Sequence, residues 1–295
     1  MEQGKLRMRN WMIVLIACIG LAGCAGPQLL NMAAQVPGKV DQNISYGPLD
    51  RQKLDIYNPK VLRPDTPVLV FYHGGSWQYG TKEDYKFLGS SFAAQGIQTV
   101  IVNYRLHPEV TFPTFVEDGA KALAFTKKSI AGDRPIFIAG HSAGAHISAL
   151  VAFDPEFLAA EGTTICESAK GMIGIAGPYA FTPIEPVFKT IFPKEILPSA
   201  LPINFAATRA PPSLLLHGSA DTTVDPKRSD EMAQALIQHG NQAQVQHYKG
   251  VGHTYILGAV SPLIRPAAPT FADTLGFIQT QKAAGYPGCA QEGKS

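Results

Sequence analysis

Along this chain, short runs of mostly apolar residues alternate with longer stretches in which apolar residues recur every three or four positions. Residues 68–72, 99–102, 136–139, 172–176, 213–216 and 245–248 are of the first kind. Such runs suit strands buried on both faces of a parallel sheet. Residues 86–95, 115–128, 145–153 and 227–239 are of the second kind and predict amphipathic helices, with Pro226 suited to a first helical turn and Gly240 to a helix end. A last helix is predicted over 270–283, and the alternating Leu54 and Ile56 in 53–57 predict an antiparallel edge strand. Strands alternating with helices predict a three-layer α/β/α sandwich around a mostly parallel sheet. One domain over residues 43–295 is expected, with its ligand at the carboxyl ends of the strands.

The rhythm breaks between Gly177 and Pro212, where prolines 178, 183, 186, 193, 198, 202, 211 and 212 are interspersed with Tyr179, Phe181, Phe188, Ile191 and Phe192. Proline at this density prevents a long helix or a central strand. The apolar residues argue against plain disorder. A short cap, or one wall of a substrate pocket, is the expectation for 177–212; an irregular surface excursion is the alternative.

The amino terminus reads as an address. Lys5, Arg7 and Arg9 precede an apolar stretch from Trp11, which ends in Leu21-Ala22-Gly23-Cys24. That stretch is shorter than the roughly 20 residues a bilayer span requires. It resembles the signal and lipobox of bacterial lipoproteins. The resemblance implies cleavage after residue 23 and acylation of Cys24, which would hold the protein on a membrane. Ala25, by the sorting pattern of Gram-negative lipoproteins, points to the outer membrane, facing the periplasm. Residues 24–42, with Pro27, Pro37 and Gly38, read as a flexible tether.

Loss of the signal removes three cations and one anion, taking the formal net charge from +2 to neutrality. A neutral body has no electrostatic footprint for nucleic acid. Cys166 and Cys289 remain beyond the lipobox and have the option of pairing in an oxidising compartment, but spacing alone leaves that open. No histidine–carboxylate spacing resembles a metal site, and no cofactor is expected.

Four separated segments carry the candidate chemistry. The strand at 136–139 runs into Gly140-His141-Ser142-Ala143-Gly144, and a helical pattern follows. This strand–turn–helix context marks Ser142 as a nucleophile on a sharp turn. A serine hydroxyl needs a base, and His253, in a loop opened by Gly250 and Gly252 after the last strand, is the candidate. His141 and His146 read as structural or pocket-lining. Asp221, a few residues beyond the strand at 213–216, stands where the orienting carboxylate belongs. Asp225 is its competitor, better placed to cap the following helix. The glycines of His73-Gly74-Gly75-Ser76-Trp77 let backbone amides face a developing oxyanion. Gly75, Ser76 and Ala143 are the expected donors.

Taken together these segments resemble the α/β-hydrolase esterases of the hormone-sensitive-lipase-like and arylformamidase-like group. Asn103-Tyr104-Arg105-Leu106, Phe112-Pro113 and Glu117-Asp118 add to the likeness. Ser76 stands where lipase-like members carry a third glycine, and His141 where they carry aspartate. These departures bring the chain closer to the arylformamidase-like and isoprenylcysteine-methylesterase-like branches. The resemblance implies a cofactor-free hydrolase that cleaves small to medium uncharged carboxylic esters through an acyl-enzyme. Hydrolysis of an N-formyl amide is the second reading, and a catalytically silent binding lipoprotein the third. Oligomeric state and the acyl and alcohol groups stay open.

Overall fold

The computed structural model describes residues 26–284 and Cys289; the signal segment and the expected acylation site at Cys24 lie outside the described residues. Eight strands form one sheet: β1 (Val40–Ser45), β2 (Lys53–Tyr57), β3 (Val68–Tyr72), β4 (Gln98–Val102), β5 (Ile136–His141), β6 (Gly171–Ile175), β7 (Ser213–Gly218) and β8 (Ala243–Tyr248). Their order across the sheet is β1-β2-β4-β3-β5-β6-β7-β8. β3 to β8 are mutually parallel, while β2 runs antiparallel to both β1 and β4.

The helices are α1 (Gly26–Met32), α2 (Lys86–Ala93), α3 (Thr114–Thr126), α4 (Ala143–Phe153), α5 (Pro155–Ala159), α6 (Ile165–Ser168), α7 (Pro186–Ile191), α8 (Leu197–Ala200), α9 (Lys227–Gln238), α10 (His253–Gly258) and α11 (Thr270–Gln281). Alternate residues of each central strand serve opposite faces. Val68, Val70 and Tyr72 join one core with Phe115, Ile147 and Leu150, from α3 and α4. Leu69 and Phe71 join the other with Phe87, Ile256 and Phe277, from α2, α10 and α11. Both faces being covered, strands β3 to β6 are buried at every position.

Two expectations are corrected. The strand at 53–57 is antiparallel but not at the edge: β1 covers it. β2 is buried at four of five positions, whereas the polar β1 sequence VDQNIS leaves no position fully buried, as an edge tolerates. The flexible tether expected over 24–42 is also corrected in its later part, because from Leu30 onward the chain is docked. Asn31 Oδ1 accepts from the Phe87 amide at 2.9 Å and its Nδ2 donates to Glu83 O at 2.9 Å. Leu30, Ala34 and Val36 pack on the second core, an apolar pattern too sparse to show in so short a segment.

The proline-rich stretch forms α7, α8 and a 3₁₀ turn, Pro202–Phe205, each with proline in its first turn. Phe192, Ala200 and Ala206 are buried in the same core as α3 and α4, so this segment is a packed part of the domain. Cys166 and Cys289 are joined by a disulfide with Cα atoms 5.4 Å apart, which ties the carboxyl-terminal end to the approach of β6. Among the described residues, no helix is long and apolar enough to cross a membrane.

Candidate active site

The carboxyl ends of β3, β5 and β7 each deliver one part of the site. β5 ends in the turn that carries Ser142, whose backbone sits at φ 54° and ψ −120° before α4 begins. A non-glycine residue at such a φ is strained and must be held by its surroundings. Here the glycines make room: a Cβ on Gly140 would stand 2.1 Å from Gly144 O, and one on Gly144 would stand 2.0 Å from Tyr72 O. Strand and helix thus approach too closely for any side chain at either position. The Ser142 amide donates to Ile175 O at 2.9 Å, tying the turn to β6.

β3 ends in the glycine loop. Gly75, Ser76 and Trp77 have φ of 122°, 53° and 59°, three consecutive left-handed residues. The loop closes on itself, with the Gln78 and Tyr79 amides donating to Gly75 O. Gly74 abuts the elbow: a Cβ there would stand 2.8 Å from His141 Nδ1 and 3.4 Å from Ser142 Cβ. Among the described residues, the amides of Gly75, Ser76 and Ala143 donate to no protein acceptor.

The strained loop is braced on both sides. His73 stacks on Tyr104 with ring centroids 4.3 Å apart, and Tyr104 Oη donates to His73 O at 2.7 Å. Tyr104 is positioned by its neighbour Arg105, which forms a two-pronged ion pair with buried Asp118 on α3. This accounts physically for the Asn103–Asp118 part of the pattern. On the other side, Trp77 meets Phe192 at 4.7 Å and His146 at 5.1 Å, both edge-on. Trp77 Nε1 donates to His146 Nδ1, whose ring then donates from Nε2 to Ala200 O at 2.7 Å. One imidazole therefore joins the glycine loop, the elbow helix and the proline-rich segment, a role to which its sequence position alone gave no clue.

β7 leads to Asp221, and the turn after β8 leads to His253 at the start of α10. His253 Nδ1 lies 2.7 Å from Asp221 Oδ2. The other carboxylate oxygen accepts from the Thr223 and Val224 amides at 2.8 and 2.9 Å. Burial raises the Asp221 carboxyl, but hydrogen bonds from His217, His253 and the Val224 amide outweigh it and hold the carboxyl far below the usual range. Asp225, the competing acid, instead accepts from the Lys227 amide at 3.0 Å at the start of α9 and is exposed.

His141 brings the two halves together. Its ring lies 4.8 Å from that of His253, and Nε2 donates to His253 O at 2.9 Å. Burial pushes His141 down to about 3, and likewise His73 and His146 to about 4, so all three rings are neutral at neutral pH. Among the described residues, no three His, Cys, Asp or Glu side chains gather into a cluster able to hold a metal ion.

The chain is similar to several known proteins. Residues 54–183, which include the glycine loop and Ser142 but neither Asp221 nor His253, match the BD-FAE family model. A probable isoprenylcysteine alpha-carbonyl methylesterase of Arabidopsis thaliana is 30% identical over 273 residues, covering 83% of this chain and 65% of that protein. Esterase LipC of Mycobacterium tuberculosis is 30% identical over 243 residues, 73% of this chain and 60% of the relative. Kynurenine formamidase of Danio rerio is 28% identical over 144 residues, 48% and 47% of the two chains. The chain thus spans less than two thirds of the length of each of these relatives. The apo form of Thermogutta terrifontis esterase 2 superimposes with a TM-score of 0.69 at 23% identity, covering 83% of this chain and 96% of the other. The eight-stranded sheet and its helices are an α/β-hydrolase fold.

Proposed function

We propose that the chain, whose residues 54–183 match the BD-FAE family model within an α/β-hydrolase fold, is a carboxylesterase-type serine hydrolase working through an acyl-enzyme. The observation that carries this reading is the 2.7 Å bond from His253 Nδ1 to Asp221 Oδ2. A carboxylate only accepts, so Nδ1 holds the proton and Nε2 is left with a lone pair, the form a general base needs. Ser142 Oγ attacks the ester carbonyl while His253 takes its proton and then returns it to the leaving alcohol. Water repeats the cycle on the acyl-enzyme. Asp221, kept ionised by its donors, offsets the charge of the imidazolium. The amides of Gly75, Ser76 and Ala143 serve the oxyanion; stabilisation of this kind is worth roughly 3 to 4 kcal/mol per donor.

Small to medium uncharged esters fit best. In 177–212 the charged side chains Glu185, Lys189, Lys194, Glu195 and Arg209 are exposed, while Phe192 and Ala200 face inward. Burying an ionised substrate group without a partner would be costly. Homology to kynurenine formamidase favours an aryl formamide as the second substrate class. Fluorophosphonate labelling followed by a series of p-nitrophenyl esters beside an aryl formamide tests both. Labelling of Ser142 and an optimum at short to medium acyl chains are expected; a hundredfold preference for the formamide selects the second class.

The protein is further proposed to be anchored through acylated Cys24 in the bacterial envelope, at the outer membrane facing the periplasm. The disulfide between Cys166 and Cys289 supports an oxidising compartment. Cys24→Ser is expected to abolish fatty-acid incorporation and leave an unprocessed precursor; equal labelling of the variant rejects the anchor.

A further inference from the structure

Asp221 Oδ2 faces a second imidazole besides His253. His217, at the end of β7 and fully buried, places Nε2 3.1 Å from that same oxygen and 3.2 Å from Val224 O. Its Nδ1 lies 2.7 Å from Ser229 Oγ, on α9. For the neutral ring the geometry settles the tautomer. A carbonyl and a carboxylate only accept, so the His217 proton is on Nε2, and Nδ1 takes the Ser229 hydroxyl proton. Both nitrogens of a ring that touches no reacting atom are therefore used to present one N–H to the acid.

Orientation of the carboxylate does not require this ring, because Oδ1 is already gripped by the Thr223 and Val224 amides. What His217 changes is the charge left on Oδ2. In a dry site an unshared carboxylate oxygen would bind the His253 proton more tightly. A second N–H on that oxygen spreads the charge and loosens that hold. We propose that His217, aligned by Ser229, is a positioning residue that shares Asp221 Oδ2 with His253 and so weakens the carboxylate's hold on the His253 proton. This rests on the serine-hydrolase reading above.

The surroundings allow few other contributors. From β5, His141 faces His253 but is neutral. From β8 and α9, His247 and Asp230 pair with each other at the surface, as do Arg228 and Glu231 within α9. On α11, Asp273 accepts from Tyr248 Oη. β6 contributes no titratable side chain.

The test is the pH dependence of kcat/KM for p-nitrophenyl acetate, and of fluorophosphonate labelling, in the wild type and three variants. His217→Phe keeps a ring but loses the donor, Ser229→Ala leaves the ring unaligned, and His217→Gln restores an amide N–H. His217→Phe should move the acid limb of both profiles up by about half to one pH unit and so lower kcat roughly two- to threefold at pH 7 with little change in KM. Ser229→Ala should move the limb the same way by less, and His217→Gln should return it to within a few tenths of the wild type. If His217→Phe does not fold, Ser229→Ala decides. An active wild type whose folded variants keep the same acid limb overturns the inference alone. A wild type inert to both ester and phosphonate overturns the hydrolase reading, and this inference with it.

Discussion

The two halves of the site are held by different physics. On the elbow and glycine-loop side, function is written into the backbone: Ser76, Trp77 and Ser142 all sit at positive φ. Such residues cost of order 1–3 kcal/mol each, and the surroundings must offset it. They do so through the Trp77 aromatic cluster, the buried rings of His73 and His146, and glycines that permit close approach. On the acid–histidine side, four donors converge on one carboxylate: the Thr223 and Val224 amides, His253 and His217. Damage on the first side should therefore spread into stability, whereas damage on the second should be felt mainly in turnover.

Ser142→Ala sets the scale. It removes the proposed attacking oxygen without refilling the turn, so kcat should fall by roughly 10⁴ to 10⁶ and phosphonate labelling should vanish. Turnover within tenfold of wild type would remove Ser142 from the mechanism. Next comes Asp221→Asn, expected to lower kcat about 10⁴-fold by unsettling the His253 tautomer, with a comparatively small change in denaturant midpoint. Trp77→Ala lies on the other side of the divide. It should cost about 3 to 5 kcal/mol of unfolding free energy as a buried aromatic, and 10²- to 10³-fold in kcat if the loop amides lose their places. If Asp221→Asn proved more destabilising than Trp77→Ala, the contrast between the two regions would be wrong.

Acid separates the regions by pH. His73, His141 and His146 are neutral in the fold and titrate below their ordinary value, so the folded protein binds fewer protons than the unfolded chain as pH falls below about 6.5. Their stabilising contribution is complete above that pH and shrinks toward pH 4, by up to about 2 kcal/mol per ring at pH 5. Asp221, held low, contributes fully above the ordinary carboxylate range and weakens only below about pH 4. Chemical unfolding at pH 7, 5 and 4 should show stability falling already by pH 5, and a flat profile to pH 4 would contradict the neutral rings. The smallest effect is expected for Asp225→Asn, which alters an exposed helix-start contact and should cost about 1 kcal/mol or less with kcat unchanged. A loss of turnover rivalling that of Asp221→Asn would show that the wrong acid has been assigned.

The sharp turn at Ser142 and the glycine loop were legible as backbone features because each occupies a contiguous motif on a recognisable strand–turn boundary. The central strands were legible as well: β3 and β5 begin at the predicted positions, since burial on both faces leaves an uninterrupted apolar run. β1 was not, because an edge strand is half exposed and its Val-Asp-Gln-Asn-Ile-Ser composition resembles a loop. Nor was the docking of 30–42, which depends on Asn31 meeting two backbone groups more than fifty residues away.

The layer architecture and the order of the motifs along the chain follow from local periodicity and short-range turn chemistry, and so were readable in the residues alone. Which rings are neutral, what holds the glycine loop in its left-handed path and what shares the acid emerged only from the packing of the folded chain. Those are properties of the dielectric and of contacts between distant segments: His146 joins residues 77 and 200, and His141 reaches residue 253. A hydrogen bond across more than a hundred residues leaves no spacing to read, and burial on all sides is set by everything that packs around a group rather than by its neighbours in the chain.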